Sequence, residues 1–193
     1  MASFDPVSNG YDLVMGPVEA AYLRRLRRRL FALASGRVLE LGVGTANNLV
    51  AYPQDARVVG VDESAAMLDR ARRKTAAPLA RADAMRLPFA GASFDTVSAA
   101  LVFCSIPDPL TALAEVRRVL RPLGRLLLME HVRGPGHVSG VLTDWLDRPW
   151  YAVNGSCHLN RNTARMVADA GFQVVSAPRR LGGFLQLIEA RAA

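Results

Sequence analysis

Two short apolar segments, about twenty residues apart, constrain the fold of this chain more than any other feature. The first, Val38 to Leu41, runs into a glycine turn at Gly42 and Gly44, and the second, Val58 to Val61, ends at Asp62. An apolar strand, a glycine turn and a second strand closed by one carboxylate are typical of α/β proteins that bind a nucleoside. The glycines let the backbone approach the ligand, and the acid accepts hydrogen bonds from ribose hydroxyls. The sequence therefore predicts an adenosine-containing cofactor.

The spacing of the glycines distinguishes between such cofactors. A dinucleotide site uses G-x-G-x-x-G to seat a pyrophosphate on a helix N-terminus, but Asn47 stands at the third glycine position. The sequence also contains no G-x-x-x-x-G-K-[ST] phosphate loop. Both observations disfavour NAD and ATP.

Strand and helix patterns alternate along the chain after Gly36. Apolar runs predict strands, in chain order, over 37–41, 57–61, 78–81, 94–100, 124–131, 172–177 and 183–190. Periodic apolar positions predict helices over 47–52, 64–74, 108–120 and 163–170. This alternation predicts a parallel sheet covered by helices on both faces, with the ligand beyond the carboxyl ends of the strands. The tight connection over 178–182 makes the last two strands antiparallel neighbours.

Further motifs follow the glycine turn in a fixed order. They are Ala82-Asp83-Ala84-Met85, Phe94-Asp95-Thr96-Val97 and the segment 119–128. Together with Glu40 in E-x-G-x-G and with Asp62, they resemble the class I S-adenosylmethionine-dependent methyltransferases over roughly residues 37 to 131. The resemblance implies a single Rossmann-like, doubly wound α/β sheet of about seven strands, mostly parallel with an antiparallel edge strand. It also implies S-adenosyl-L-methionine as cofactor and S-adenosyl-L-homocysteine as product.

The resemblance assigns contacts to this cofactor residue by residue. It implies that Glu40 meets the ammonium group of the methionine moiety and that Asp62 accepts from the ribose hydroxyls. Asp83 would accept from the adenine amino group, while the backbone N–H of Ala84 reads a ring nitrogen. The other cofactor contacts that we expect are Tyr11, Gly42, Gly44, Asn48, Glu63, Met67 and Leu101. Ala46 stands where many members of the family have a third glycine, so the loop is slightly more crowded than usual.

A second set of motifs concerns the methyl acceptor. It consists of Leu101 to Ile106, Met129 to Val132 and Trp145 to Arg161. These segments resemble the thiol S-methyltransferases, the small bacterial phospholipid N-methyltransferases and the quinone C-methyltransferases of the same broad group. The resemblance implies a small, lipophilic acceptor: a thiol, a phospholipid amine or a quinone-type carbon.

Three residues are the predicted catalytic groups. Glu130 and His131 end the fifth strand on the ligand side of the sheet, and His158 lies in the insertion that follows. A histidine that only shapes the pocket is an equal alternative for His131, and a histidine that only orients Asn160 and Arg161 is the alternative for His158. A base is needed only for a protonated acceptor, because an amine must lose a proton whereas a thiol is partly ionised already.

The length of 193 residues predicts one methyltransferase domain, 1–193. Its expected parts are an N-terminal helical segment (1–36), a cofactor-binding core (37–131), an acceptor-side insertion (132–160) and a terminal helix with a strand pair (161–193). The sequence has no run of eighteen apolar residues and no signal-peptide pattern, which favours the cytoplasm. Cys104 and Cys157 show no metal-ligand spacing, so the sequence predicts no metal site and two reduced thiols.

The net charge of +7 allows anionic partners. A helix predicted from about Val18 to Ala34 has leucines on one face and arginines on the other, at Arg24, Arg25, Arg28 and Arg29. This helix is either an ordinary surface helix or one that contacts an anionic membrane, which would make the protein peripheral to the membrane.

Two other function classes remain open from the sequence. One is an RNA or other nucleic-acid methyltransferase, which is disfavoured because Cys104 to Pro107 replaces the [DN]-P-P-[YF] motif after the fourth strand. The other is a protein that binds S-adenosylmethionine without catalysis. The sequence leaves the oligomeric state unknown.

Overall fold

The computed structural model describes residues 22–155 and 157–192. The predicted contact Tyr11 and the start of the predicted N-terminal helix lie outside these described residues.

An eight-stranded sheet forms the centre of the described part of the chain. Its strands are β1 (Arg37–Leu41), β2 (Arg57–Asp62), β3 (Leu79–Arg81), β4 (Phe94–Ala100), β5 (Leu120–His131), β6 (Phe172–Ser176), β7 (Arg179–Arg180) and β8 (Leu185–Ala192). The order across the sheet is β3-β2-β1-β4-β5-β8-β6, and β7 pairs with β8. Strands β1 to β5 pair in parallel, whereas β8 is antiparallel to β5, β6 and β7. The predicted mostly parallel sheet with an antiparallel terminal pair is confirmed.

Helices lie on both faces of this sheet. They are α1 (Arg24–Phe31), α2 (Ala65–Arg72), α3 (Pro109–Val119), α4 (Gly136–Asn154) and α5 (Thr163–Asp169). Neighbouring residues of a strand point to opposite faces, so Leu126 packs with Leu113 of α3 in one cluster. Leu127 packs with Leu30 of α1 in the other cluster. The two clusters together bury the sheet from both sides.

Local signals at the helix starts agree with the sequence. The Ser64 hydroxyl accepts a hydrogen bond from the backbone N–H of Met67 and caps α2. The Asp108 carboxylate accepts from the N–H groups of Leu110 and Thr111 and caps α3, whose first residue is Pro109.

The parallel register brings the ends of three strands together. Leu41 of β1 is paired with Val61 of β2 on one side and with Ala99 of β4 on the other. From β1 the chain adds β2 and β3 on one side of the sheet, and β4 and β5 then lie on the other side. Open α/β sheets form a ligand crevice where the strand order reverses in this way. The loops after β1, β2 and β4 therefore meet at one edge.

The predicted helix over 47–52 is wrong. The structure has only a short 3₁₀ turn at Leu49–Ala51. Pro53 disfavours the helical conformation at Tyr52, which is extended with ψ of 153°. At the other end the backbone of Ala46 is left-handed, with φ of 67°. These two boundaries leave room for a single turn.

The second difference concerns the insertion over 132–160, for which the sequence predicted no helix or strand. Most of it forms α4, which continues through Pro149. The connection over 178–182, predicted as a turn, also contains the short strand β7. Within the described residues, no helix has both the length and the apolar character needed to cross a bilayer.

The packing of α3 generates a stability prediction. Leu113→Ala removes a fully buried side chain from the cluster against Leu126 and should lower the free energy of unfolding by about 2 to 5 kcal/mol. Leu110→Ala on the same helix is the control, because Leu110 is exposed and its truncation should change stability by less than about 0.5 kcal/mol. Urea denaturation of both variants measures the difference, and equal losses would contradict the assigned packing.

Candidate active site

A cleft of about 240 Å³ lies at the edge where the strands end. Eight of the predicted contacts line it: Gly42, Gly44, Asp62, Glu63, Met67, Asp83, Ala84 and Leu101. The ends of β1 to β4, the loops that follow them and the first turn of α2 supply these residues. The structure thus brings eight of the eleven predicted cofactor contacts to one cleft.

The glycine turn after β1 is held by the acid that ends β2. One carboxylate oxygen of Asp62 accepts from the backbone N–H of Gly44 at 2.8 Å, and the other accepts from the N–H of Ser64 at 2.9 Å. Gly42 and Gly44 have left-handed backbones, with φ of 59° and 54°. A Cβ added at Gly44 would meet only the Gly42 carbonyl oxygen, 4.0 Å away. The backbone at Gly44 is thus open to the cleft, and Asp62 positions the turn that forms its floor.

Three acidic side chains line one wall of the cleft. They are Asp62, Glu63 and Asp83. Asp83 accepts from the backbone N–H of Met85 at 2.8 Å, which shapes the turn after β3. Partial burial, followed by the charge of Asp83, raises the pKa of Glu63. A wall of carboxylates suits a ligand that offers hydroxyl donors and positive charge.

Glu40 lies within β1 and is fully buried, and it does not line the cleft. Asn48 donates a side-chain hydrogen bond to Oε1 of Glu40. Among the described residues, Oε2 of Glu40 and Oδ1 of Asn48 have no well-formed hydrogen bond, although Tyr52 and the charge of Arg27 act on Glu40 and favour its ionised form. Burial raises the pKa of Glu40 to about 7. This pair therefore holds buried acceptor atoms whose partners a bound ligand can supply.

Glu130 is placed differently from its prediction as a contact to the acceptor. Its carboxylate is fully buried and accepts from three successive backbone N–H groups, those of Val102, Phe103 and Cys104, at 3.0, 3.0 and 3.1 Å. Burial raises its pKa to about 6. Because both oxygens are occupied and neither lines the cleft, the geometry makes Glu130 the group that positions the loop after β4.

The two predicted catalytic histidines lie beside the cleft rather than in its lining. Nδ1 of His131 is 3.8 Å from Sγ of Cys157. Nδ1 of His158 is 3.0 Å from a carboxylate oxygen of Asp147, and its ring stacks on Tyr151 with centroids 4.8 Å apart. Tyr151 itself lines the cleft, so His158 contacts a residue of the cleft wall.

The sequence missed a convergence of sulfur and nitrogen groups. The side chains of Cys104, His131 and Cys157 meet, although they lie far apart in the chain. A hydrogen bond from Cys104, followed by the one from His131, lowers the pKa of the Cys157 thiol to about 5. The hydrogen bond to Cys157, together with burial, raises the pKa of Cys104. No short spacing motif signals this arrangement.

The sequence also missed part of the cleft lining. The additional lining residues come mainly from the loop after β4 and from the end of α4: Val61, Ala82, Ala100, Val102, Ser105, Ile106, Pro107, Tyr151 and Gly155. In the sequence, only the aromatic residues of the insertion indicated a role for Tyr151. The end of α4 therefore forms one wall of the cleft.

Comparisons with known proteins agree on one family. A family model described as a methyltransferase domain matches residues 39–128. A phosphatidylethanolamine N-methyltransferase of Cereibacter sphaeroides is 35% identical over 139 residues, covering 68% of each chain. The chain belongs to the class I S-adenosylmethionine-dependent methyltransferases.

Two further relatives and one solved structure are also similar to this methyltransferase. The thiol S-methyltransferase TMT1B of Homo sapiens is 32% identical over 186 residues, covering 86% of this chain and 75% of its own. A demethylmenaquinone methyltransferase of Renibacterium salmoninarum is 30% identical over 210 residues, covering 96% and 89%. The crystal structure of an S-adenosylmethionine-dependent methyltransferase from Thermotoga maritima has a TM-score of 0.77 at 22% identity and covers 98% of both chains. That structure supports the fold alone.

The cofactor of this methyltransferase is S-adenosyl-L-methionine, and the residues present fit it. The open backbone at Gly44 leaves room for close approach of a ligand, and the carboxylates of Asp62 and Asp83 in the cleft lining would accept from its hydroxyl and amino groups. The Glu40 oxygen that lacks a well-formed hydrogen bond is an acceptor for an ammonium group. When bound, this cofactor supplies a methyl group that is already activated by a sulfonium.

The open backbone at Gly44 gives a binding prediction. Gly44→Ala should weaken S-adenosylmethionine binding at least tenfold in calorimetry, because the new Cβ projects into the cleft. The left-handed backbone also costs about 1 to 2 kcal/mol of stability for a residue with a Cβ. Gly136→Ala is the matched control, since Gly136 has φ of 73° and open space around it but does not line the cleft. We expect the same stability loss with unchanged affinity, and equal affinity losses would contradict the placement of the turn.

The buried Glu40 gives a prediction for the dependence of stability on pH. Its pKa is about 7 in the folded protein against 4.5 for an ordinary glutamate. The folded state therefore holds the proton more tightly, so stability falls as the pH rises from about 4.5 through 7. Glu40→Gln removes this loss, and its free energy of unfolding relative to the wild type should rise by roughly 2 to 3 kcal/mol from pH 5 to pH 8.

Urea denaturation of the cofactor-free protein at several pH values measures this difference. The Asn48 amide can turn so that its unpartnered oxygen accepts from the new glutamine, which keeps the variant folded. Parallel pH curves for wild type and Glu40→Gln would mean that Glu40 does not titrate in this range.

Proposed function

We propose that this protein transfers the methyl group of S-adenosylmethionine to a small lipophilic acceptor that it meets at the surface of an anionic membrane. The observation that carries the proposal is the polarity of α4, whose apolar side chains point away from the protein. The acceptor classes are a thiol, a phospholipid amine and a quinone-type carbon.

The outer face of α4 is apolar. Val138 and Trp145 are 82% and 74% exposed, and Val141 and Leu142 between them are also exposed. These residues recur at three- and four-residue steps, so they form one stripe. Trp150 and Tyr151 extend the exposed aromatic surface towards the end of the helix. Tryptophan and tyrosine are enriched where a protein meets the membrane–water interface.

The inner face of α4 is polar, and its side chains form hydrogen bonds. Thr143 accepts from the backbone N–H of Gly134 and donates to the Gly140 carbonyl. Asp147, which is 9% exposed, accepts from His158 and from the N–H of Leu159. A surface helix of a globular protein normally buries its apolar stripe. The reversed arrangement leaves that stripe available to lipid.

The helix links this surface to the cleft. Tyr151 belongs to the exposed aromatic end of α4, and it also lines the cleft together with Gly155. A lipophilic acceptor in the membrane would thus meet the cleft beside the surface that binds lipid.

The charge of the protein favours an anionic membrane. The net charge is +7, and Arg24, Arg25, Arg28 and Arg29 are all exposed on α1, while Leu26 and Leu30 are buried. Each basic residue near an anionic surface contributes about 1 kcal/mol of attraction, which salt screens.

The relatives support a lipophilic acceptor as well. Their names specify phosphatidylethanolamine, a thiol and demethylmenaquinone as acceptors in those proteins. For an amine acceptor, His158 is our candidate proton acceptor, since Asp147 orients its ring. The chain's other task is to align the acceptor in line with the methyl group and to exclude water.

The test measures vesicle binding and methyl transfer together. The combined variant Val138→Gln, Leu142→Gln and Trp145→Gln should reduce cosedimentation with phosphatidylglycerol vesicles at least tenfold, because three apolar side chains lose their lipid contact. Its calorimetric affinity for S-adenosylmethionine should be unchanged. With labelled cofactor, wild-type protein should methylate a thiol, phosphatidylethanolamine or a demethylated quinone carried in these vesicles.

The matched control replaces three exposed apolar residues elsewhere, Leu110, Leu123 and Val175, by glutamine. This control should bind vesicles like the wild type. Replacing the four exposed arginines of α1 by glutamine should weaken binding at low salt only. Wild-type protein that never sediments with anionic vesicles, or that methylates only water-soluble acceptors, would contradict the proposal.

A further inference from the structure

Three soft donor groups converge beside the cleft from three separate segments. Cys104 lies in the loop after β4, His131 ends β5, and Cys157 follows α4. The sulfur atoms of the cysteines and a ring nitrogen of the histidine all lie within 4.8 Å of one another. Cys104 is buried, and the other two side chains are half-buried.

We propose that Cys104, His131 and Cys157 form a binding site for one thiophilic divalent metal ion, Zn²⁺ by the chemistry of its donors. Two cysteine sulfurs and one imidazole nitrogen are ligands that zinc prefers, and hard cations such as Mg²⁺ prefer oxygen. The inference does not depend on the identity of the methyl acceptor. It concerns an ion-binding site, which the methyl transfer itself does not require.

The distances suit such an ion. Zinc–sulfur and zinc–nitrogen bonds of about 2.3 and 2.0 Å at tetrahedral angles place the donor atoms about 3.5 to 3.8 Å apart. Sγ of Cys157 and Nδ1 of His131 already lie 3.8 Å apart. The remaining donor distances do not exceed 4.8 Å. Closure around an ion therefore needs side-chain movements of about an ångström or less.

The charges suit the ion as well. Two cysteine thiolates neutralise a divalent cation, and a neutral histidine adds no charge, so the occupied site has no net charge to bury. Beyond the donors, the guanidinium of Arg161 is attracted to both cysteines and to the carboxylates of Glu130 and Asp147.

The segment that carries Cys104 is held in place before any ion binds. Its backbone N–H donates to Glu130 and its carbonyl accepts from the N–H of His158. Arg161 donates to the carbonyls of Phe103 and Ile106 on either side. Outer hydrogen bonds of this kind orient metal ligands and limit the entropy lost on binding.

The position of the site gives the ion a role in shaping the cleft. Ser105, next to Cys104, lines the cleft, and so does Gly155, two residues before Cys157. An ion bound by all three donors joins the loop after β4 to the segment after α4 and so fixes the acceptor-side wall. Three protein ligands leave a fourth position for water or another ligand, as in open zinc sites.

The test uses cobalt(II) and zinc(II) with the full chain, purified with a reductant and freed of metal by a chelator. Cobalt should bind one ion per chain and give the visible absorption of a tetrahedral site together with a thiolate-to-cobalt charge-transfer band. Zinc should displace it. Cys157→Ser and His131→Gln should each weaken zinc binding at least tenfold in competition with a chromophoric chelator, with S-adenosylmethionine affinity showing that the variants are folded.

His137→Gln is the matched control, because His137 is an exposed histidine on α4 outside the cluster, and it should bind zinc like the wild type. Three results would overturn the site. They are an absence of stoichiometric binding, a cobalt spectrum without the thiolate band, and equal zinc affinity in wild type and Cys157→Ser. An intact mass two hydrogens lighter without reductant, with no metal uptake after reduction, would show a disulfide pair instead.

Discussion

The buried carboxylate of Glu130 organises the loop after β4, which lines the cleft. It lies at the end of β5, and the loop after β4 closes around it by donating three backbone N–H groups. An isolated carboxylate would be costly to bury, so these hydrogen bonds are needed for the fold to hold it there. The same loop supplies Leu101 and Val102 to the cleft and carries Cys104. Arg161 and the backbone N–H of His158 donate hydrogen bonds to carbonyls of the same loop.

A second buried carboxylate, that of Glu40, has the opposite character. Glu130 is satisfied by the backbone, whereas Glu40 has an oxygen without a well-formed hydrogen bond among the described residues and a pKa raised to about 7. A group that is buried without full compensation costs stability and is retained where it binds something. The two glutamates therefore differ: Glu130 holds the loop after β4, and Glu40 keeps a buried acceptor oxygen.

Helix α4 reverses the usual arrangement of a surface helix. The polar groups of α4 face inwards, where Thr143 and Asp147 bind neighbouring backbone and side chains. Its apolar side chains face outwards, with Trp145 the most prominent of the aromatics. Because these apolar side chains stay exposed, they add no hydrophobic stabilisation to the fold. They form an apolar surface next to the cleft for the methyl donor, which is lined in part by polar loops.

The sequence by itself determined the order of the seven predicted strands, the glycine turn and the acids at the strand ends, because these signals are local. Apolar periodicity, caps such as Ser64 and the spacing from Gly42 to Asp62 are all read within one element or one connection. It did not determine the length of the turn at Leu49–Ala51, where two boundaries compete over a few residues. The tertiary structure alone decided that Glu130 meets the N–H groups of a loop 26 to 28 residues away, since backbone donors leave no mark in a sequence. It alone brought Cys104, His131 and Cys157 together, because their contact depends on how two loops and a strand end meet in space.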